Sequence, residues 1–374
     1  MGFLNIIFPG VNMIRVLHIL PTLNVCGGIE NFVMNYYRAI NKDEFQFDFI
    51  VHELGHENFK KEIENLGGKV FLFPQFSFSN FKEILKAIKK FSLYDCNYDI
   101  VHCHMINAAV FYFFYLCRYT KTIKVFHSHQ TVSSDRFFNR IRNYLLVKGG
   151  KALADEYWAV SNDAGKFLFG SNTFRIVGNA INVNKFQKSK LYRKKIQADY
   201  GLENKFIIGH VGRFAPIKNH KFLLQVMKYI VKDNNDVVLC LVGAGELKSD
   251  IQKAIHAMNL NNNVYLLPIC KDVYKYYGVF DVLLLPSLYE GFGLVTIEAQ
   301  YAGVHVIASK GRVPAETQIS NYIEFLPLEA GEKVWKEHIM RYLHNNEDLT
   351  LFNNQYDIAY GVKHLEQSYN EILR

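Results

Sequence analysis

Short apolar runs, each followed by a longer stretch with helical spacing, recur along the whole chain, and no other feature restricts the fold as strongly. In the first half the runs are RVLHILP (15–21), FDFIVH (47–52), KVFLFP (69–74), DIVHCH (99–104), IKVFHSH (123–129) and EYWAVS (156–161), with helices expected over 28–40, 57–66, 79–91 and 106–118. Strands this continuously apolar are buried on both faces, which calls for a parallel sheet with helices on either side. After IVGNAINVNKFQ the alternation restarts: FIIGHVG (206–212), helix 219–232, DVVLCLVG (236–243), helix 246–258, VYLLP (264–268), DVLLLP (281–286), helix 294–303 and VHVIAS (304–309). Two successive doubly wound α/β units follow, with a boundary near 178–190, and 374 residues suffice for a core in each. The tail from 331 is polar and helical, and a last helix near 355–373 is expected to pack back on the first unit.

Net charge narrows the partners. A balance of +8, from 43 Lys+Arg against 35 Asp+Glu, suits a nucleic acid, an anionic membrane surface or a small anionic substrate. The longest basic block is YRKK (192–195), short for a footprint on phosphate backbone, so no nucleic-acid partner is expected. Six cysteines lack C-x-x-C spacing and several sit in apolar runs such as VVLCLVG, as buried thiols of a reducing compartment do. The residues before Arg15 lack a cationic leader and a small-residue cleavage site and are too few to span a bilayer. A cytoplasmic protein is expected, with Met13 an alternative start to Met1.

Four strand ends carry candidate chemistry. In LPTLNVCGGIENF, Gly27 and Gly28 lie between the first strand and first helix, where glycine lets a backbone approach a ligand and a helix start offers free N–H groups. A tight turn without ligand fits the same residues equally well. Neither this segment nor GAGELK (243–248) completes the G-x-G-x-x-G of a dinucleotide site, which argues against a dehydrogenase. In HVGRFAPIKNH (210–220), Arg213 and Lys218 converge on one loop before a helix, as a diphosphate would require, although such a pair alone is usually a solvated one. In VFHSHQ (125–130), the period of two puts His127 and His129 on one face of a strand end. No Cys or third His lies near them in sequence, so a polar contact in a cleft is favoured for one of them over a metal, with a structural histidine the alternative for the other. In LYEGFGLVTIEAQ (288–300), Gly291 and Gly293 expose N–H groups ahead of a helix, between Glu290 and Glu298, which can accept bonds from a polyhydroxylated ligand. The largely apolar setting of Glu298 argues against a merely solvated acid.

CGGIE, GRFAPIKN and EGFGLVTIEA, in that order and at those separations, resemble the retaining glycosyltransferases of the GT-B fold, in particular the large family four, over nearly the whole chain. The GGIENFVMNYYRAINKDEFQFDFIVHE stretch resembles enzymes of bacterial exopolysaccharide and capsule synthesis. The resemblance implies two Rossmann-like domains facing across a cleft: 1–180 for the acceptor, with 355–374 packed back on it, and 181–354 for the nucleotide sugar. It implies that Arg213 and Lys218 hold the donor diphosphate and that Glu298 binds the ribose hydroxyls. Glu290 and the amides of Gly291, Phe292, Gly293 and Leu294 would hold the sugar and phosphate. His129, or else His127, would lie near the transferring carbon, and Gly27 and Gly28 would face the donor phosphate. GRVPAETQIS (311–320) lacks the family's glycine-rich turn, so no role is carried over there.

Retention needs no protein nucleophile if the leaving phosphate takes the acceptor's proton, so the protein supplies position and positive charge. The chain has no Asp-x-Asp, and neither a metal nor another cofactor is expected. The expected acceptor is a lipid-linked saccharide at the cytoplasmic membrane face. RFFNRIRNYLLVKGGKAL (136–153) suits a helix lying among anionic headgroups, and equally a helix packed on its own domain. A nucleotide-sugar epimerase of the same architecture is the alternative enzyme, and a non-catalytic partner subunit would require those charged residues to be idle.

Overall fold

In the computed structural model, residues 13–374 are described except 26, 76, 78–79, 95–96, 117–120, 130–136, 269–271, 344–349 and 352–353, and in the helix at 137–153 side chains are described from 142 onward. The start at Met1, four of the cysteines and Arg136 therefore lie outside the described residues. Contacts divide the chain into two compact units, one of Met1–Gly178 with Ala359–Arg374, the other of Asn179–Ile358.

The first unit is a parallel sheet in the order β3-β2-β1-β4-β5-β6-β7. Its strands are β1 (Ile14–Thr22), β2 (Phe45–Glu53), β3 (Val70–Leu72), β4 (Ile100–Cys103), β5 (Ile123–Ser128), β6 (Glu156–Ala159) and β7 (Arg175–Ile176). Its helices are α1 (Gly28–Ala39), α2 (Lys60–Asn65), α3 (Phe81–Tyr94), α4 (Ala109–Leu116), α5 (Phe137–Leu153) and α6 (Asn162–Phe169). Central strands are buried throughout: Val16, Leu17, Ile19 and Leu20 of β1 are 0% exposed, as burial on both faces demands. The register sets His18 of β1 beside His102 of β4. On the next pair, His102 stands beside Val125 of β5, so the residues two positions on, His104 just past β4 and His127 near the end of β5, lie side by side.

The second unit opens with α7 (Val183–Gln187) and α8 (Arg193–Tyr200) and then builds a parallel sheet ordered β10-β9-β8-β11-β12-β13. Its strands are β8 (Phe206–Val211), β9 (Val237–Val242), β10 (Val264–Leu267), β11 (Val282–Leu285), β12 (His305–Ser309) and β13 (Ile323–Leu326). Helices α9 (His220–Ile230), α10 (Lys248–Ala257), α11 (Tyr274–Tyr277), α12 (Leu294–Tyr301) and α13 (Gly331–Arg341) cover it, and two apolar clusters, one on each face, form its core. The strand order reverses direction between β8 and β11, the switch point at which open α/β sheets present ligand sites.

Strands β7 and β13 and helix α6 were not anticipated. β7 has two residues, and only the outer residues of IEFL in β13 are buried, so neither shows a period long enough to read. Helix α2 starts only at Lys60, after the turn in which Asn58 bridges to Asn24. The described thiols, Cys103 and Cys240, are free and buried, and desolvation pushes each up to about 12. The final helix, α14 (Ile358–Ile372), lies almost entirely in the first unit: Glu371 pairs with Arg175 at 2.6 Å, and Asn370 donates to Glu44 at 2.9 Å.

Candidate functional site

Each unit gathers polar side chains at the carboxyl ends of its strands. In the first unit these are imidazoles. His18 Nδ1 lies 3.0 Å from His104 Nε2, and His104 Nδ1 lies 2.8 Å from His129 Nε2. A second series joins the Tyr369 hydroxyl to His102 Nδ1 at 2.7 Å and His102 Nε2 to His127 Nδ1 at 2.9 Å. The rings stack, with centroids 4.3 Å apart for His102–His104 and for His127–His129, and Phe32 sets its edge against His127 and His129. His129 is the part-exposed member. Desolvation lowers the pKa of every ring, to about 3 for His18 and His129, and the Val177 backbone carbonyl partly offsets that fall at His127. All five are accordingly neutral near pH 7. Nε2 of His18 and of His127 is buried without a hydrogen-bond partner among the described residues.

The sequence presents only His127 and His129 as a pair. His18, His102, His104 and Tyr369 join them through strand order and through α14. A signal was present in DIVHCH, where His102 and His104 have the same spacing of two, and the third imidazole, His104, arrives from the residue just past β4.

The glycine turn before α1 is also more specific than its sequence suggests. Glu30 folds back, accepting from the Thr22 hydroxyl, and a Cβ on Gly27 would stand 1.9 Å from Glu30 Oε2. A side chain at position 27 would displace the end of Glu30, whereas Gly28 meets nothing within 4 Å. Burial raises the Glu30 pKa, against the opposing Thr22 hydrogen bond, so any anion approaching Gly27 meets a carboxyl group in its path.

In the second unit the polar groups are charged. The loop after β8 turns through a short 3₁₀ segment, Pro216–Lys218, to Asn219 in the left-handed region at φ 56°, and α9 begins at His220. Lys218 Nζ donates to Glu290 Oε1 at 2.6 Å, and the Ser287 hydroxyl donates to the same oxygen at 2.5 Å. Leu288 N–H to Ile217 carbonyl, at 2.8 Å, ties the two loops together. The lysine and glutamate side chains are 15% and 10% exposed, so each largely relies on the other for its counter-charge. Arg213 is not drawn into this pair: its side chain is 63% exposed, with Glu246 at 3.7 Å.

Past Glu290, Gly293 adopts φ 84° and starts α12, with free N–H groups in that helix's first turn. Glu298, one turn further, accepts from the Tyr277 hydroxyl at 2.5 Å, and burial lifts its pKa to about 7 against that bond. Behind Lys218, His210 directs Nδ1 to the Leu284 carbonyl at 2.9 Å and packs edge-on to His220. The sequence singled out neither histidine, nor Tyr277.

The second unit thus combines a paired cation, a helix start and a shielded carboxylate at its switch point, an arrangement able to hold an anionic, hydroxylated ligand. Two family descriptions match: "Glycosyltransferase Family 4" over residues 26–185 and "Glycosyl transferases group 1" over residues 192–356. The putative glycosyltransferase EpsF of Bacillus subtilis is 31% identical over 335 residues, covering 87% of each chain. The capsular polysaccharide biosynthesis glycosyltransferase CapH of Staphylococcus aureus is 24% identical, covering 96% of this chain and 99% of its own. Among solved structures, Anabaena HepE in complex with UDP and glucose superimposes with a TM-score of 0.78 at 18% identity, over 96% of this chain and 100% of that one.

Proposed function

The chain belongs to the family 4 glycosyltransferases of GT-B fold, and on that premise we propose that it is a retaining hexosyl- or N-acetylhexosaminyltransferase of bacterial surface-polysaccharide synthesis. Its donor is a nucleotide sugar, UDP-linked in this reading, and its acceptor a lipid-linked saccharide. The observation that carries the reading is the Lys218–Glu290 pair beside the start of α12: a fixed cation, a hydroxyl-accepting carboxylate and free backbone N–H groups in one place. UDP is supported by the ligand in the HepE structure.

In this reading Lys218 and the N–H groups of Gly291, Phe292, Gly293 and Leu294 meet the diphosphate, and Arg213, exposed and lightly held, swings onto it. Glu298 takes the ribose hydroxyls, and Glu290 takes the sugar's. The anomeric C–O bond to phosphate breaks, the acceptor oxygen bonds to that carbon on the same face, and the departing phosphate oxygen takes the acceptor's proton. Charge on the leaving group is met by these fixed groups, with no metal at the diphosphate. His129 lines the acceptor side, and Gly28 offers the open turn beside Gly27, which lies against Glu30.

No helix among the described residues is long and apolar enough to cross a membrane. Helix α5 presents Tyr144 and Leu145 at 67% and 62% exposure with Lys148 exposed nearby, a surface suited to shallow contact with anionic lipid at the cytoplasmic face. The test is a panel of UDP- and GDP-sugars read by thermal stabilisation, followed by UDP release with and without a lipid-linked acceptor. Release that depends on acceptor and survives chelator supports the proposal. Stabilisation by no nucleotide sugar, or activity restored only by magnesium or manganese, overturns it.

A further inference from the structure

The imidazole cluster of the first unit has a property that hydrogen bonding alone leaves unexplained. His104, His127 and His129 each offer one ring nitrogen, and the three nitrogens lie within 4.8 Å of one another. His127 contributes through Nε2, because its Nδ1 is engaged with His102, and that Nε2 is buried without a hydrogen-bond partner among the described residues. A buried polar atom left without a partner costs about 1–3 kcal/mol. We propose that His104 Nδ1, His127 Nε2 and His129 Nε2 form a binding site for one divalent transition-metal ion of the zinc class.

The surrounding contacts suit that assignment. A ligating imidazole normally donates its other N–H to a fixed acceptor, which holds its tautomer and its orientation. Here the other nitrogen of His127 faces His102 Nε2, whose own Nδ1 faces the Tyr369 hydroxyl, and the other nitrogen of His104 faces His18 Nδ1. Two of the ligands thus have an outer shell already built. An all-imidazole set selects zinc, cobalt, nickel or copper over magnesium or calcium. The companion trio of His18, His102 and His104 is fully buried and has both nitrogens of His102 engaged, whereas His129 is part-exposed and gives the chosen trio a route of entry. The ligands come from the carboxyl ends of β4 and β5, all within the first unit.

The test uses full-length, untagged protein stripped with chelator and titrated with Zn²⁺ by calorimetry, then with Co²⁺ in the visible range. One ion per chain, micromolar or tighter, with the d–d bands of a four- or five-coordinate cobalt centre, is the expected result. Removing a ligand should cost more than the loss of an outer-shell partner, so H129A is expected to weaken binding by over about 100-fold and Y369F by about 10-fold. H129A changes a part-exposed residue at a strand end, and unchanged far-UV dichroism certifies its fold. Absence of saturable binding, or binding that H129A and H127N leave unchanged, overturns the site and means that the His127 ring instead turns toward the Val177 carbonyl. The readout is binding, so it stands or falls independently of whether the protein transfers a sugar.

Discussion

The two sheets end in differently constructed polar clusters. In the first unit, five neutral rings are linked to one another and to a tyrosine by hydrogen bonds, with Nε2 of His18 and His127 left over among the described residues, in contact with Phe32 and Trp158. In the second, a full positive and a full negative charge meet at 2.6 Å with a serine as third partner. Burial explains both. The buried imidazoles lose their charge to desolvation and are held by hydrogen bonds, whereas the lysine and glutamate lie within contact distance, so that each offsets the other's desolvation. The first arrangement favours shape and tautomer, the second a fixed field for an anion.

The sharpest challenge to this contrast is K218A. It strands Glu290, and the expected outcome is a loss of kcat/KM of about 10³-fold with a stability loss of about 3 kcal/mol. The double variant K218M/E290Q should regain most of the stability, read from the urea midpoint, and none of the turnover. Recovery of turnover would show that the field is dispensable.

Next is E298Q, with donor affinity at pH 8 expected to fall about tenfold by calorimetry, the worth of roughly one charge-assisted hydrogen bond. In the unaltered protein, affinity should rise as pH climbs through about 7, because only the ionised carboxyl accepts from both ribose hydroxyls. E298Q should flatten that dependence. Without ligand the sign reverses: stability falls as pH rises from 4.5 toward about 7, since the native state still holds a proton that the unfolded chain has released.

In the neutral cluster, Y369F removes one buried hydroxyl and should cost about 1–2 kcal/mol in urea unfolding. A negligible cost would mean that the rings are held by packing alone. The smallest effect is expected at the exposed Arg213–Glu246 pair, where E246Q should change stability by less than about 0.5 kcal/mol.

The same contrast decides what could be read in advance. Apolar runs marked nearly every strand to within a residue or two, since a strand buried on both faces advertises itself locally. Lys218, Glu290 and Glu298 could be picked out because each sits in a short motif whose glycines and charges are unusual in themselves. The imidazole cluster could not be assembled, because β1 and β4 are neighbours only through sheet order, and His18 and His104 are 86 residues apart. His102 and His104 were visible as a spacing of two in one strand, but nothing in the chain said which strand lay alongside. Gly27 shows the limit of motif reading from the other side: its missing side chain leaves room for Glu30, and only the folded turn reveals that.

The hydroxyl that closes one imidazole series comes from Tyr369, 267 residues downstream of His102 and beyond the whole second unit. A ribosome therefore releases the first sheet long before the helix that finishes it, and Trp158 and His102 must wait, uncovered, while the second unit is made. Newly synthesised chains should depend on holdase chaperones through that interval, and chains cut between Ile358 and Tyr369 should carry a folded second unit attached to an aggregation-prone first.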